Sequence, residues 1–283
     1  MPPSRWNMPA LLIVTLLATE LLVMDRLAPA VAYGQFTDFY TAGHADLGIE
    51  YNASLQEFET HLHVGRNAIV NGVPLVAETV YDLETTLVTS DGFAQRPDDS
   101  GLGFAFAPLG IETGEHFWWL PQNYFDAVSG GDDGLPHLGW SANAAGTFVD
   151  DQLTLALVDV MSPSGIGLYS LWSNSGISAN FVHANFDGID ASDALTLATS
   201  GHDHFNLAFA DPNGLTAAEG LWTITYGVEG ELLTGETISS TFRVNYWIGN
   251  GSPVPEPSFA LAFVGLAMAA MVPRKRRHPR HRR

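Results

Sequence analysis

Two short stretches carry histidines spaced two apart: His61 with His63, and His202 with His204. In an extended chain successive side chains alternate between faces, so residues i and i+2 share one face. Each pair then presents two imidazoles side by side, and neutral imidazole is the commonest protein ligand for metals. Upstream, His44 and Asp46 repeat the spacing with one imidazole and one carboxylate. Neighbouring strands lie ~4.8 Å apart. Two such pairs, or one pair joined by His44 and Asp46, can supply the four N and O donors that tetrahedral zinc takes. The expected site is therefore His61, His63, His202 and His204 around one divalent ion, zinc or another, with His44 or Asp46 as a further ligand. Asp203 falls on the face opposite its flanking histidines and is not expected to ligate. Glu57 and Glu59 are placed to orient imidazoles as acceptors. Protonated imidazole cannot bind metal, so binding is expected to fail below about pH 6.5. The competing reading is plain: exposed histidines, hydrogen-bonded to nearby acids, on ordinary polar faces.

The elements that must position these residues read as strands. Ala45, Leu47, Ile49 and Tyr51 alternate with His44, Asp46, Gly48 and Glu50; Phe58, Leu62 and Val64 alternate with Glu57, Glu59, His61 and His63. Residues 79–89 read as one further strand, and Phe205, Leu207 and Phe209 alternate with His204, Asn206 and Ala208. Turn signals such as Asn71-Gly72 separate the runs, and no long stretch of the body has helical periodicity. The pattern predicts an all-β body, an antiparallel β-sandwich of jelly-roll-like type. It spans 35–249 as one domain, with a division near Gly146 as the alternative. Its expected core comprises Leu47, Ile49, Phe58, Leu62, Leu155, Leu157, Phe205, Phe209, Trp222, Ile224, Phe242 and Val244.

Charge is unevenly spread along the 283 residues, whose formal net charge is −19. Seven of the 12 basic residues follow Pro273, and two lie before residue 35. The body between keeps only Arg66, Arg96 and Arg243 against 28 acidic residues, a net charge of −25. So acidic a surface repels nucleic acid and anionic lipid, and it suits solubility or cation binding. There is no cysteine, so disulfides cannot contribute to stability.

The two ends read as targeting segments. At the start, Arg5 precedes an apolar run over 10–19, and Ala30-Val31-Ala32 is a small-x-small cleavage site; residues 1–32 form the expected signal peptide and its helix, with Ala30 and Ala32 at the cut. At the other end a linker with an acidic-proline motif (250–257, Val254-Pro255-Glu256-Pro257) leads to an apolar helix over 258–272 and a basic tail over 273–283. Pro257 suits the first turn of that helix. The run is short for a span of ~20 residues, and flanking arginines can relieve the mismatch by reaching to the interface. The basic block would hold the C-terminus on the cytoplasmic side of a transmembrane helix. Motif, helix and basic cluster in this order resemble the PEP-CTERM sorting tail of exported bacterial proteins. The resemblance implies a transient inner-membrane anchor, processing at Pro255-Glu256-Pro257 by a membrane-embedded enzyme, and delivery to the envelope, outer surface or extracellular matrix.

A second resemblance covers most of the body. His44 to Tyr51, His61-Leu62-His63, Trp119 to Gln122, Leu138-Gly139-Trp140 and the run from Gly201 to Phe209 are similar to the choice-of-anchor M domain, an exported bacterial module. Its most specific element here is Gly-His-x-His-x-Asn-x-x-Phe over 201–209. Where that family has a compact turn, this chain inserts Leu215 to Glu219. The resemblance implies a surface module without an assigned reaction. Three function classes follow: a non-catalytic binding or display module, a divalent-metal-binding protein, and a metal-dependent or carbohydrate-active enzyme. The cupin-like His-x-His arrangement is incomplete, since no Glu follows either pair closely, and no nucleophile triad is readable, so catalytic residues are not expected. Display on exopolysaccharide would use stacking aromatics, for which Trp118, Trp119, Trp140, Trp172 and Trp247 are the candidates. The acidic loop over 185–193 lacks calcium-loop spacing and is expected to be solvated.

Overall fold

Alternation of apolar and polar residues becomes strand through most of the body. The computed structural model describes residues 35–98, 103–123, 125–126, 131–132, 134–175 and 178–250. The signal segment with Ala30 and Ala32, the Val254-Pro255-Glu256-Pro257 motif, the two expected helices and the basic tail lie outside the described residues. No helix among the described residues is long and apolar enough to cross a membrane.

In chain order the strands are β1 (Asp38–Asn52), β2 (Glu57–Val64), β3 (Ile69–Val70), β4 (Val73–Pro74), β5 (Thr79–Tyr81), β6 (Thr86–Ser90), β7 (Phe93–Gln95), β8 (His116–Leu120), β9 (Phe125–Asp126), β10 (Gly131–Asp132), β11 (Pro136–Asn143), β12 (Gln152–Met161), β13 (Leu168–Ser175), β14 (Ser178–Ala184), β15 (Ala194–Ala198), β16 (His202–His204), β17 (Asn206–Ala210), β18 (Gly220–Glu231) and β19 (Thr237–Ile248). The large sheet runs β15-β12-β18-β19-β6-β1-β11-β16, with β2 and β3 also on β1, β5 on β2 and β4 on β3. A second sheet runs β14-β13-β17-β8-β7. The body is an all-β sandwich.

β1 joins the two halves of the large sheet. Gly43 takes φ +90°, a backbone conformation that glycine tolerates and other residues avoid. A Cβ there would lie 2.7 Å from Ala68 Cα. Before this bend, β1 pairs with β6 and β3; after it, with β11 on one side and β2 on the other.

The sheets are not all antiparallel, as the sequence pattern suggested. β1 is parallel to β6 and to β11, and β19 is parallel to β6. Alternation fixes which face a residue takes but carries no sign of strand direction, and parallel neighbours need only a long connection between them. The second sheet is antiparallel throughout.

All twelve expected core residues are buried. Trp140 of β11 meets Tyr226 of β18 edge to face, centroids 6.2 Å apart, and the Tyr226 hydroxyl is 2.6 Å from that of Tyr169 on β13. A smaller cluster on the other face of the second sheet includes Phe117, Trp172, Ala208 and Ala210, with Leu109 of the 3-10 turn Gly103–Leu109 packed in.

Two strand boundaries differ from the expectation. The run over 79–89 is broken, because Asp82 turns the chain by accepting Glu84 N–H at 2.8 Å through its carboxylate and the Thr86 hydroxyl at 2.6 Å through its carbonyl. The run over 202–209 is also two strands. β16 belongs to the large sheet and β17 to the second, with the chain changing sheets at Phe205. Asn206 holds this crossing: its buried carbonyl accepts from Trp119 Nε1 (3.1 Å) and Gln122 N–H (3.0 Å), and its amide donates to Gln122 Oε1 (3.3 Å). Nearby, the inserted segment forms a 3-10 turn (Leu215–Ala218) whose carbonyls accept two indoles: Leu215 O from Trp118 Nε1 and Ala218 O from Trp222 Nε1. The acidic loop is not wholly solvated either. Asp193 is buried and its carboxylate accepts Ala184 N–H (2.7 Å) and Asp190 N–H (2.9 Å).

Candidate metal centre

The register of the large sheet collects the histidines on one face. Across β2, β1, β11 and β16, Asp46 stands opposite His63 on one side and Gly139 on the other, and Gly139 stands opposite His204. Gly48 pairs with His61 and with Ser141, and Ser141 pairs with His202. Directly paired residues share a face, so the polar face of four strands carries every expected ligand. The opposite face of the same strands carries Leu47, Leu62, Leu138 and Trp140, all buried, and their packing fixes which side the imidazoles take.

On this face the residues form two groups. In the first, His44, Asp46, His202 and His204 each bring one ligand atom within 4.8 Å of all the others. His204 Nε2 lies 3.1 Å from His44 Nε2 and 2.9 Å from His202 Nε2. Asp46 Oδ1 lies 2.9 Å from His202 Nε2, 3.6 Å from His44 Nε2 and 3.9 Å from His204 Nε2. Three imidazole nitrogens and one carboxylate oxygen thus point at a single spot. In the second group, Glu50, His61 and His63 converge, with the two Nε2 atoms 2.6 Å apart and Glu50 Oε1 at 3.9 and 4.0 Å from them.

The expectation of one ion shared by both His-x-His pairs is therefore corrected. β2 and β16 flank β1 and β11 rather than adjoin, which puts the pairs three inter-strand steps apart, roughly 14 Å. His44 and Asp46 supply what His61 and His63 were expected to give the first group. Asp203 turns to the other face, opposite Trp140, and joins neither group. Glu57 has no part in either, and Glu59 is engaged by Asn52 Nδ2 at 2.6 Å. An acid not expected here, Glu78, lies 3.3 Å from His63 Nδ1 without a well-formed hydrogen bond.

Each group sits over a glycine. A Cβ on Gly139 would strike Asp46 Oδ1 and come within 2.9 Å of His204 Cε1 and 3.2 Å of His202 Nε2. A Cβ on Gly48 would lie 2.5 Å from His61 Nε2 and 2.8 Å from His63 Cδ2. The rings lean over these two positions because nothing fills them. Sequence reasoning took Gly139 only as part of a resemblance and missed Glu50 as a ligand, although Glu50 continues the period-two series from His44, Asp46 and Gly48. It also passed over His137, buried beneath the same face opposite His44.

The surroundings favour the neutral form of one imidazole in each group. Burial, reinforced by the neighbouring His44, pushes the His204 pKa down to about 4, and Asp46 only partly offsets this. Burial and then His63 lower that of His61. Asp46 Oδ1 and His204 Nδ1 are buried without a well-formed hydrogen bond, a costly state that a bound cation beside the carboxylate would relieve. These His, Asp and Glu groups could hold a metal ion. Beside the first group opens a cleft of about 480 Å³, lined by Gln122, Ser173, Asn180 and Thr196 together with His202 and His204.

Of the tryptophans expected to stack on sugar, Trp118, Trp140 and Trp172 are buried in the core. The Trp119 indole N–H is committed to Asn206. Comparison with protein families finds no matching family, and comparison with curated proteins finds no match.

Proposed function

We propose that the body is an extracytoplasmic module that binds a divalent transition metal, most simply zinc, through His44, Asp46, His202 and His204. The convergence of those four side chains on one spot carries the reading. A tetrahedron with metal–ligand arms of 2.0–2.1 Å has edges of about 3.3 Å. The five separations given for this group run from 2.9 to 3.9 Å and bracket that value. Mixed imidazole and carboxylate donors without thiolate suit zinc and its first-row neighbours better than calcium, which takes oxygen ligands alone. Four protein donors around one ion make a holding site, which favours binding, storage or display of metal over catalysis, where a position is left open. Of the three function classes the sequence allows, the convergence of four donors supports metal binding, and burial of three tryptophans weakens the sugar-stacking version of display.

The targeting reading belongs to the same proposal. The segments over 1–32 and 254–283 support export, a transient membrane anchor and processing at Val254-Pro255-Glu256-Pro257 by a membrane enzyme, with the metal-binding body then held at the envelope or released to the matrix.

Two experiments test the proposal. Elemental analysis of the purified protein is expected to find zinc or a first-row neighbour, and His202→Ala/His204→Ala is expected to lose the ion held by the first group. A protein that carries no metal after gentle purification and shows no thermal shift with added zinc overturns the metal reading. Replacing Pro255, Glu256 and Pro257 with alanine is expected to leave export intact and retain the precursor in the inner membrane; normal release of that variant overturns the sorting role.

A further inference from the structure

We infer that the same sheet face holds a second, separate divalent ion, bound by His61, His63 and Glu50 over Gly48. The inference rests on the metal-binding reading for its chemistry but on different residues for its evidence. His61 and His63 belong to β2, and Glu50 to the far end of β1, so this group shares no side chain with the first. Its two Nε2 atoms are 2.6 Å apart. Both face Glu50 Oε1 across a gap of 3.9 to 4.0 Å, wide enough for an ion to sit between the carboxylate and the rings. The missing side chain of Gly48 provides the floor, since a Cβ there would lie 2.5 Å from His61 Nε2. Glu78 Oε1, 3.3 Å from His63 Nδ1, is near enough to favour the tautomer that keeps the proton on Nδ1 and leaves Nε2 free to ligate.

The two centres are distinct rather than bridged. Gly48 and Gly139 lie one strand and two residues apart, which is roughly 8 Å by the strand spacing and rise. Paired-metal catalytic sites hold their ions about 3.5–4 Å apart, so these positions are too far apart to act as such a pair. They also differ in kind. The first has four protein donors, whereas the second has three and leaves a coordination position for water or a donor from another molecule. Glu50 is 40% exposed and Asp46 15%, so the second centre also has the more accessible carboxylate.

The test is stoichiometry on the full chain, loaded with zinc(II) and then desalted. Two ions per chain are expected, falling to one in His61→Ala/His63→Ala and to one in His202→Ala/His204→Ala. A native count of one that survives His61→Ala/His63→Ala overturns the second centre and leaves the first standing. A native count of one that is lost in His61→Ala/His63→Ala and kept in His202→Ala/His204→Ala overturns the first and supports the second. Because double alanine variants can misfold, Glu50→Gln provides an independent measure. This half-exposed change keeps the side chain's shape and is expected to weaken zinc at one of two sites tenfold or more. Unchanged affinity at both sites in a protein of native circular dichroism overturns the assignment of Glu50.

Discussion

Gly139 shows how much of the candidate site depends on an atom that is absent. Its backbone does not take the positive φ that glycine alone tolerates, so alanine is compatible with the chain path there, but the added Cβ would collide with Asp46 Oδ1. Gly139→Ala is expected to lower zinc affinity at the first centre about 10- to 100-fold, the range seen when groups that orient ligands are lost, with circular dichroism unchanged; isothermal titration measures it. A second residue-scale prediction concerns His183, buried on β14 with Nε2 3.2 Å from the Leu155 carbonyl. As a neutral ring it donates there. Burial holds its pKa down at about 4, against 6.5 in the unfolded chain. The unfolded state therefore binds the extra proton first as pH falls. The stabilisation is whole above pH 6.5 and is lost between 6.5 and 4, about 3 kcal/mol over that window. His183→Gln, which keeps a donor but does not titrate, is expected to flatten this part of the stability–pH curve in urea unfolding at pH 7 and pH 5. That His44, Asp46, His202 and His204 share a face was legible in the sequence, because period-two spacing states which side chains lie together; that they, and not the two His-x-His pairs, converge on one spot was not. The glycines beneath them were not, because glycine in a strand reads first as a turn or a bulge.

β16 and β17 show where legibility stops at the scale of the element. From His204 to Phe209 polar or small residues alternate with phenylalanine and leucine, so pattern alone continues the His202–His204 strand, yet the chain leaves one sheet and enters the other at Phe205. What marks the crossing is a polar residue committed to the interior. Asn206 is 1% exposed and gathers Trp119 and Gln122 around its amide. Nothing in a period-two pattern separates such a residue from one that faces solvent. Asn206→Ala leaves the Trp119 indole and the Gln122 N–H without their acceptor and is expected to cost about 1–3 kcal/mol, read as a lower midpoint in urea with an unchanged slope. The core strands were read correctly for the opposite reason. Leu47 and Ile49, Leu155 and Leu157, and Trp222 and Ile224 are apolar at every second position, and each pair is buried.

For the molecule as a whole, the sequence showed that the body is built of strands but not how they are ordered, since β6 and β11 reach β1 from distant parts of the chain and run parallel to it. An ion held by groups from β1 and β16 ties together strands that β11 separates. Zinc at about 100 times its dissociation constant adds about 2.7 kcal/mol to the folded state, which for a body of this size raises Tm by about 5–10 °C. Calorimetry with zinc and then with a chelator is expected to show the rise and its reversal, and the doubly substituted His202→Ala/His204→Ala protein is expected to keep at most the smaller share due to the second ion. The alternation along β1 has a further consequence. If β1 slipped by one residue against β2 and β11, His44, Asp46 and Glu50 would all turn into the core, and Ala45, Leu47 and Ile49 would turn out to water. Each centre would then keep only a pair of imidazoles, His61 with His63 on β2 and His202 with His204 on β16, and lose every donor that β1 supplies. If the sheet face holds its ions as proposed, metal bound per chain also reports how much of a preparation carries β1 in its proper register.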